Sequence, residues 1–591
     1  DSRRIEEWPL KRFEHIREFL SRHKWEYVAG VACLVLVDAL QLVIPRLLGK
    51  LTDSLRAGTL TSDGLRNFVI VIMGIAGAIA AGRFLWRIFI NGTARLLDLY
   101  LRNKLFAHLE RLPARYYNEH KTGDLMAHAT NDIPAIRQTF GQGFILLTDA
   151  IFMTGATLII LFRTTPLQLA LLSLLPFPFL ALGTTLFSKL VGPRFRAVHE
   201  AFSSLTERAQ ESIAGIRVVK AFVQEKPETG RFMDVAQRNV DENMRLIRIW
   251  GLMFPMSGLA STLAFVFVLK YGSAMIIRQE ISLGDFVALT SYLAMLVWPM
   301  IAVGWVINVV QRGYTALDRI NKILNEAPEV ADELQAVELP SVAGTIEFRN
   351  VTFSYSPELP PALSDVSFTI EAGKTLAVVG RTGSGKSTIV SLLTRLYNPP
   401  PGSVFIDGHD IRHVTLESLR SQLGVVLQES FLFSTTIGEN IAFASDEYPQ
   451  ERIEHFADVA QVGKDISGFP DGFDTMVGER GVTLSGGQKQ RICIARALIK
   501  EPKVLVLDDC LSAVDTQTEE SILHGLREYM RGRTSIIISH RISTVKDADE
   551  IIVLDDGIVR ERGTHDSLVA AGGLYHELHE KQLLEEELAS K

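Results

Sequence analysis

The sequence predicts an α-helical membrane domain of about six long helices fused to an α/β domain built on a phosphate-binding loop. Three observations carry this prediction. Six long apolar runs precede residue 320, a change to short apolar strands and Gly-rich turns follows it, and GRTGSGKST stands at Gly380–Thr388. At 591 residues the chain exceeds what one ordinary core can hold. Its net charge of -7 is spread over both signs, so no basic tract suits nucleic acid. Cys33, Cys493 and Cys510 lie too far apart for a CxxC metal site or a disulfide framework.

The start, DSRRIEEWPLKRFEHIREFLSRHKWEY, is too polar for the core of a signal peptide. Its apolar Ile5, Trp8, Leu10, Phe13, Ile16, Phe19 and Leu20 interleave with charges, which predicts an amphipathic segment over 1–25 on the inner membrane surface. Its helix should begin close to Pro9, because proline suits a first helical turn. Apolar runs then follow at roughly Tyr27–Leu48, Leu65–Ile90, Gly141–Leu161, Leu167–Leu190, Trp250–Ile277 and Phe286–Val310. Each is near the ~20 residues that span a bilayer core. Two long helical stretches rich in Arg and Lys separate the second from the third run and the fourth from the fifth, and the positive-inside rule puts both on the cytoplasmic side. Within the 26–320 domain, Asp38, Asp149, Arg83 and Arg87 fall inside apolar runs, where a charge is costly enough to suggest a role or a partner. A linker is expected over 321–343 and the second domain over 344–591.

In that second domain GTIEFRNVTFSY, SFTI and TLAVVG read as strands, the last running into GxxxxGK[ST] and then a helix. The loop Gly380, Arg381, Thr382, Gly383, Ser384, Gly385, Lys386, Ser387 and Thr388 should turn its amides onto phosphates. Lys386 supplies a cation, the Ser387 hydroxyl is placed for Mg2+, and the following helix aims its N-terminus at the anion. The apolar run VLVL ends in Asp508, positioned for the Mg2+ shell, and in Asp509, where a carboxylate would polarise the attacking water. LSGGQ opens a helix, so Ser485, Gly486, Gly487 and Gln488 form a second anion-binding surface that one phosphate loop does not need.

Taken in order, the phosphate loop, LSGGQ, VLVLDD and SIIISH make the chain resemble the ATP-binding cassette (ABC) exporters, specifically half-transporters with fused membrane and nucleotide domains. The resemblance spans essentially the whole chain and implies the type IV exporter fold, with ATP and Mg2+ as ligands. It implies that Tyr355 stacks on adenine, that Gln428 senses Mg2+, and that His540 contacts the γ-phosphate. By the same resemblance Glu479 touches intracellular helices and Asp515 links two sites across a dimer. Segments at about Thr122–Asp132 and Glu207–Phe222 resemble those bearing the coupling helices.

Family members carrying a shortened carboxylate at the position of Asp509 are usually one subunit of a heterodimer. The resemblance therefore implies a second half-transporter that carries Glu and uses this chain's LSGGQ. It further implies a bacterial inner membrane with the N-terminus and nucleotide domain cytoplasmic, contact with membrane lipid, and a small amphipathic substrate. Two alternatives stand beside it: a homodimeric lipid flippase with Asp509 as working base, and an ATP-gated channel or regulatory subunit.

Overall fold

The computed structural model describes residues 12–445, 447–478, 484–511 and 516–589. The chain divides into two compact units, one running to Leu109 and resuming over Thr122–Glu326, the other made of Glu110–Lys121 and the chain from Ala327 onward.

In the first unit, α1 (Glu14–Arg22) buries Ile16 and Phe19 and ends at His23, before α2 (Lys24–Arg56). Asn321 donates to the Arg12 carbonyl at 2.7 Å, Arg12 pairs with Asp318, and Lys104 donates to the His15 carbonyl. The segment is thus fastened to neighbouring helices by its backbone as well as by its apolar face. Pro9, the expected helix start, lies outside the described residues. Helix α3 (Ser62–Trp86) continues through a π-helical turn into α4 (Gly92–Leu109), and α5 (Ala114–Glu119) belongs to the second unit. Next come α6 (Ile133–Gln138), α7 (Phe144–Thr164), α8 (Pro176–Ala214), α9 (Glu225–Phe267) and α10 (Leu283–Leu324).

Among the described residues, four helical runs are long and apolar enough to cross a membrane: Lys24–Arg56, Ser62–Leu109, Thr122–Thr164 and Leu283–Leu324. The other two expected spans fall on a short helix, Leu167–Leu174, with the start of α8, and on the end of α9 with the turns that continue it to Ile277; their shorter apolar stretches, Leu167–Phe179 and Thr262–Ile277, flank residues whose side chains are not described. Along α3, Leu65, Val69, Ile70, Met73, Phe84 and Leu85 are exposed, a surface that suits lipid and not water. Helices α2 and α10 touch at backbone level: a Cβ on Gly284 would stand 2.2 Å from the Gly49 carbonyl oxygen. Asp53 secures that crossing by accepting from Ser282 Oγ and the Gly284 amide, both at 2.7 Å.

The second unit holds two sheets. Strands β1 (Ile346–Phe353), β2 (Leu363–Ile370), β4 (Val404–Ile406) and β5 (His409–Asp410) form an antiparallel sheet in the order β2-β1-β4-β5. Strands β3 (Thr375–Gly380), β6 (Leu423–Val426), β7 (Val504–Asp508), β8 (Thr534–Ile538), β9 (Glu550–Asp555) and β10 (Ile558–Gly563) form the other, ordered β10-β9-β3-β8-β7-β6. Its β9, β3, β8, β7 and β6 are parallel. Strands β7 and β8 are buried at every position, their apolar runs VLVL and III together with Thr534, Ser535 and Asp508.

Two boundaries depart from expectation. The expected linker over 321–343 is in part structured: α10 runs to Leu324, and Val337 pairs with the backbone of His413 and Thr415 while Leu339 and Val342 are buried in the core. The segment that folds with the second unit is 110–121, immediately before the expected Thr122–Asp132. Its Leu112 and Tyr116 are buried, Tyr116 stacks on His120, and Asn118 donates to the Tyr397 hydroxyl at 2.8 Å. The other expected coupling stretch, Glu207–Phe222, runs from the end of α8 through a break at Gly215 into a short helix, Ile216–Ala221.

Arg395 is a feature that no motif announces. It is 1% exposed, and its guanidinium donates to the carbonyls of Ile411, Val414 and Ala331. Arg395→Ala strands the buried carbonyls of Ile411 and Val414 and is expected to destabilise the protein by about 3 kcal/mol. A fall of several degrees in the thermal unfolding midpoint of the purified full chain would show it.

Candidate functional site

Three parallel strands deliver their C-terminal ends to one place. Strand β3 leads into the loop before α11 (Lys386–Leu393), β7 ends at Asp508, and two residues past β8 stands His540. Ligands bind beyond the carboxyl ends of parallel strands because loops and helix N-termini converge there. A cavity of about 260 Å³ opens at that point, lined by Tyr355, Thr382, Gly383, Gly385, Lys386, Ser387, Thr388, Gln428, Asp508, Asp509 and His540 together with Ala362 and Ile538.

Gly385, the residue before α11, has φ +96°, and a Cβ there would lie 2.4 Å from the Ala362 carbonyl oxygen. Only glycine fits both conditions. Gly385→Ala is expected to weaken ATP binding about tenfold or more, read as the Kd of a fluorescent ATP analogue. Lys386 Nζ donates to the carbonyls of Gly380 (3.0 Å) and Arg381 (2.8 Å), which holds the ammonium inside the curl of the loop. Burial pulls its pKa down, while Asp508 and Asp509 push it up. Ser384 lies in the same curl, its carbonyl accepting from Gly557.

Asp508 is 3% exposed and hydrogen-bonded to Ser387. Burial pushes its carboxyl above the usual carboxylate range, the Ser387 bond lowers it, and the neighbouring Asp509 raises it again. A desolvated carboxylate beside a hydroxyl, with Gln428 in the same cavity, is an oxygen donor set suited to a hard cation. The described residues hold no group of three or more His, Cys, Asp or Glu able to grip a metal alone.

Asp509 has φ +46°, and its amide donates to the Ile538 carbonyl at 2.8 Å. Aspartate tolerates this left-handed conformation better than most residues. The turn carries the chain out of β7 while leaving Asp509 on the cavity wall with His540 and Gln428. Burial, then the Lys386 ammonium, holds the His540 imidazole below its usual range, against the pull of the two aspartates. Tyr355 donates to or accepts from Thr388 Oγ1 at 2.9 Å and meets Tyr397 edge-on with ring centroids 5.0 Å apart.

The LSGGQ residues do not line this cavity. Ser485 caps α12 (Gly486–Leu498): its hydroxyl accepts from the Gln488 amide at 3.2 Å, and the Gln488 side chain accepts from the Ser485 amide at 3.0 Å. The first-turn amides of Gly486 and Gly487 have no partner one turn back within the helix. Asp515 and Glu479 lie outside the described residues. The sequence reading missed Gln582, which donates to the His540 carbonyl and accepts from the Ile542 amide at 2.7 Å, clamping the turn after β8. It also missed Glu519, buried and bonded to Arg541 and to Thr544. Both come from charged helices with no local signature.

Comparison with known proteins adds relatives to this geometry. Residues 27–300 match the family model for the ABC transporter transmembrane region, and 363–512 match the family model for the ABC transporter. The chain is 37% identical to the probable multidrug resistance ABC transporter ATP-binding/permease protein YheI of Bacillus subtilis, over 96% of this chain and 97% of that protein. It is 38% identical to the multidrug resistance-like ATP-binding protein MdlA of Escherichia coli, over 98% and 97%. A solved bacterial Atm1-family ABC exporter with ATP bound superposes with a TM-score of 0.79 at 30% identity, covering 96% of this chain and 99% of that one.

Proposed function

The chain belongs to the ABC transporters, with the membrane region and the ATPase domain of an exporter on one polypeptide, and from that premise we propose that it is one subunit of a heterodimeric exporter of amphipathic or lipophilic compounds. Asp509 carries the reading. Its carboxylate is one methylene shorter than glutamate, and catalytic groups lose effect when displaced by about 1 Å. The rest of the cavity is intact in composition: Lys386, Ser387, Asp508, Gln428 and His540 all line it. A site that keeps every binding group and shortens the one that positions water suits tight ATP binding with slow hydrolysis.

In this reading Tyr355 supports the adenine, Lys386 and the amides of the loop hold the β- and γ-phosphates, and His540 reaches the γ-phosphate. Ser387, Asp508 and Gln428 would hold Mg2+, which supplies charge neutralisation at the β- and γ-phosphates when bound. Ser485, Gly486, Gly487 and Gln488 would close over the nucleotide of a second chain, and Asp515 would connect the two sites. ATP-driven closure of two such domains would shift the membrane helices, and hydrolysis at the site that uses the second chain's glutamate would reset them.

Purification of this chain from its own membranes tests the reading. The expected result is co-purification of a second half-transporter with glutamate after its strand-ending aspartate. A stable homodimer with full ATPase activity would overturn it and make Asp509 the working base.

A further inference from the structure

The membrane unit contains a larger cavity, about 800 Å³, whose walls come from the start of α4, the stretch from Asn131 to Leu146, and α10. That volume lies within the range of small-molecule sites. Its lining includes Arg95, Arg137 and Arg312, and no lining residue is acidic.

Each of these arginines has an acid near it in sequence, and each of those acids is engaged elsewhere. Asp98 pairs with Arg102, Asp132 with Arg319 and His128, and Asp318 with Arg12. Among the described residues, no carboxylate lies within ion-pair distance of Arg95, Arg137 or Arg312. The carboxyl groups of Asp38 and Asp149, farther along the apolar helices, face one another and Arg83. Three uncompensated guanidiniums around one cavity make a strongly anion-attracting volume.

The apolar part of the cavity is ordered relative to the charge. Trp298, Trp305 and Arg312 recur at intervals of seven on α10, so they lie on one stripe of the helix. At 1.5 Å per residue the stripe runs about 21 Å from the first tryptophan to the arginine. The tryptophans are 53% and 51% exposed, well above a packed core side chain. Arginines that merely snorkel to water would not require tryptophans in line with them and a shared cavity.

We propose that this cavity binds an amphipathic anion, its phosphate-type headgroup held by Arg95, Arg137 and Arg312 and its apolar body lying along Trp298 and Trp305. The guanidinium matches a phosphate in planar, two-toothed hydrogen bonds, and an indole face offers a large apolar contact at small entropic cost. The proposal deepens the exporter reading and rests on it only for the fate of the ligand.

The test uses the full-length protein in phosphatidylcholine nanodiscs without nucleotide, with binding read as tryptophan quenching by a bromoalkyl phosphate. A bromoalkyl trimethylammonium of equal chain length and inorganic phosphate are the comparison probes. The phosphate amphiphile is expected to bind saturably, and the combined change Arg95→Gln, Arg137→Gln, Arg312→Gln to weaken it about a hundredfold while leaving the ammonium probe unweakened. Retained binding of a fluorescent ATP analogue reports that the variant is folded. Should it not fold, Arg312→Gln alone is expected to weaken the phosphate probe about fivefold or more. Equal binding of the two amphiphiles, insensitivity to the substitutions, or competition by inorganic phosphate at the amphiphile's own concentration overturns the proposal. Displacement of the probe by phosphatidic acid in the nanodisc supports the anion site with a lipid as its source; persistence of saturable, arginine-dependent binding against it supports a soluble amphiphile. ATP-driven movement of the same probe in proteoliposomes tests the exporter reading separately, since binding without movement leaves the site standing.

Discussion

Lys386→Ala is expected to remove ATP binding at this chain's phosphate loop, with affinity falling by a factor of several hundred, or about 3–4 kcal/mol. Two effects add. The substitution deletes the cation that the loop encloses, and it leaves the carbonyls of Gly380 and Arg381 without the ammonium that now bridges them. Only glycine satisfies the loop's geometry at Gly385, so that position cannot compensate by shifting toward the ligand. Equilibrium binding of a fluorescent ATP analogue measures the loss. Lys386→Arg separates the two effects, because it restores charge but not the compact ammonium that fits between two carbonyls. Binding of ATP by the alanine variant within a few-fold of the unaltered protein would exclude this loop as the nucleotide site.

The second large effect concerns the proposed division of labour between two unequal sites. In a reconstituted heterodimer, Asp509→Asn is expected to leave steady-state ATPase within about twofold, whereas replacing the second chain's glutamate by glutamine lowers it by about a hundredfold or more. General-base and water-positioning carboxylates contribute on that scale only where their geometry is right. Asp509 is fixed in a left-handed turn by the hydrogen bond its amide donates to the Ile538 carbonyl, which limits how far the backbone could move to make up for a short side chain. Single-turnover measurements on each site would locate the effect. Equal losses from the two substitutions would defeat the asymmetric arrangement.

Much of this site was legible because its parts obey local rules. A buried run such as VLVL must become a strand inside a sheet, and GRTGSGKST after TLAVVG has a glycine where the backbone enters a left-handed conformation. Gln428, the Asp508–Asp509 pair and His540 are far apart in sequence, and the parallel strand order brings them to one cavity, which Tyr355 joins from beyond β1 of the antiparallel sheet. What escaped is non-local support. Gln582 sits in a charged C-terminal helix and looks like any solvated side chain until the turn after β8 is seen against it. The left-handed backbone of Asp509 is likewise tied to β8 through the Ile538 carbonyl, a partner its local sequence does not reveal. The tie of 110–121 to the second unit was missed because RLPARYYNEHK lies inside a long charged helical stretch with nothing local to set it apart, and its bond from Asn118 to Tyr397 reaches across 279 positions.

That tie sets an order of events during synthesis. Residues 110–121 leave the ribosome more than two hundred positions before Ala327, where the rest of their unit begins. At the ~5–20 residues per second of translation, Asn118 waits tens of seconds for Tyr397, the residue it bonds in the second unit. Native docking of the segment is therefore postponed until the C-terminal part of the chain has been made. A fragment beginning at residue 344 would retain Tyr397 and lack Asn118 altogether. The second unit is discontinuous in the chain, so excision at a single point yields a domain with one of its own pieces missing.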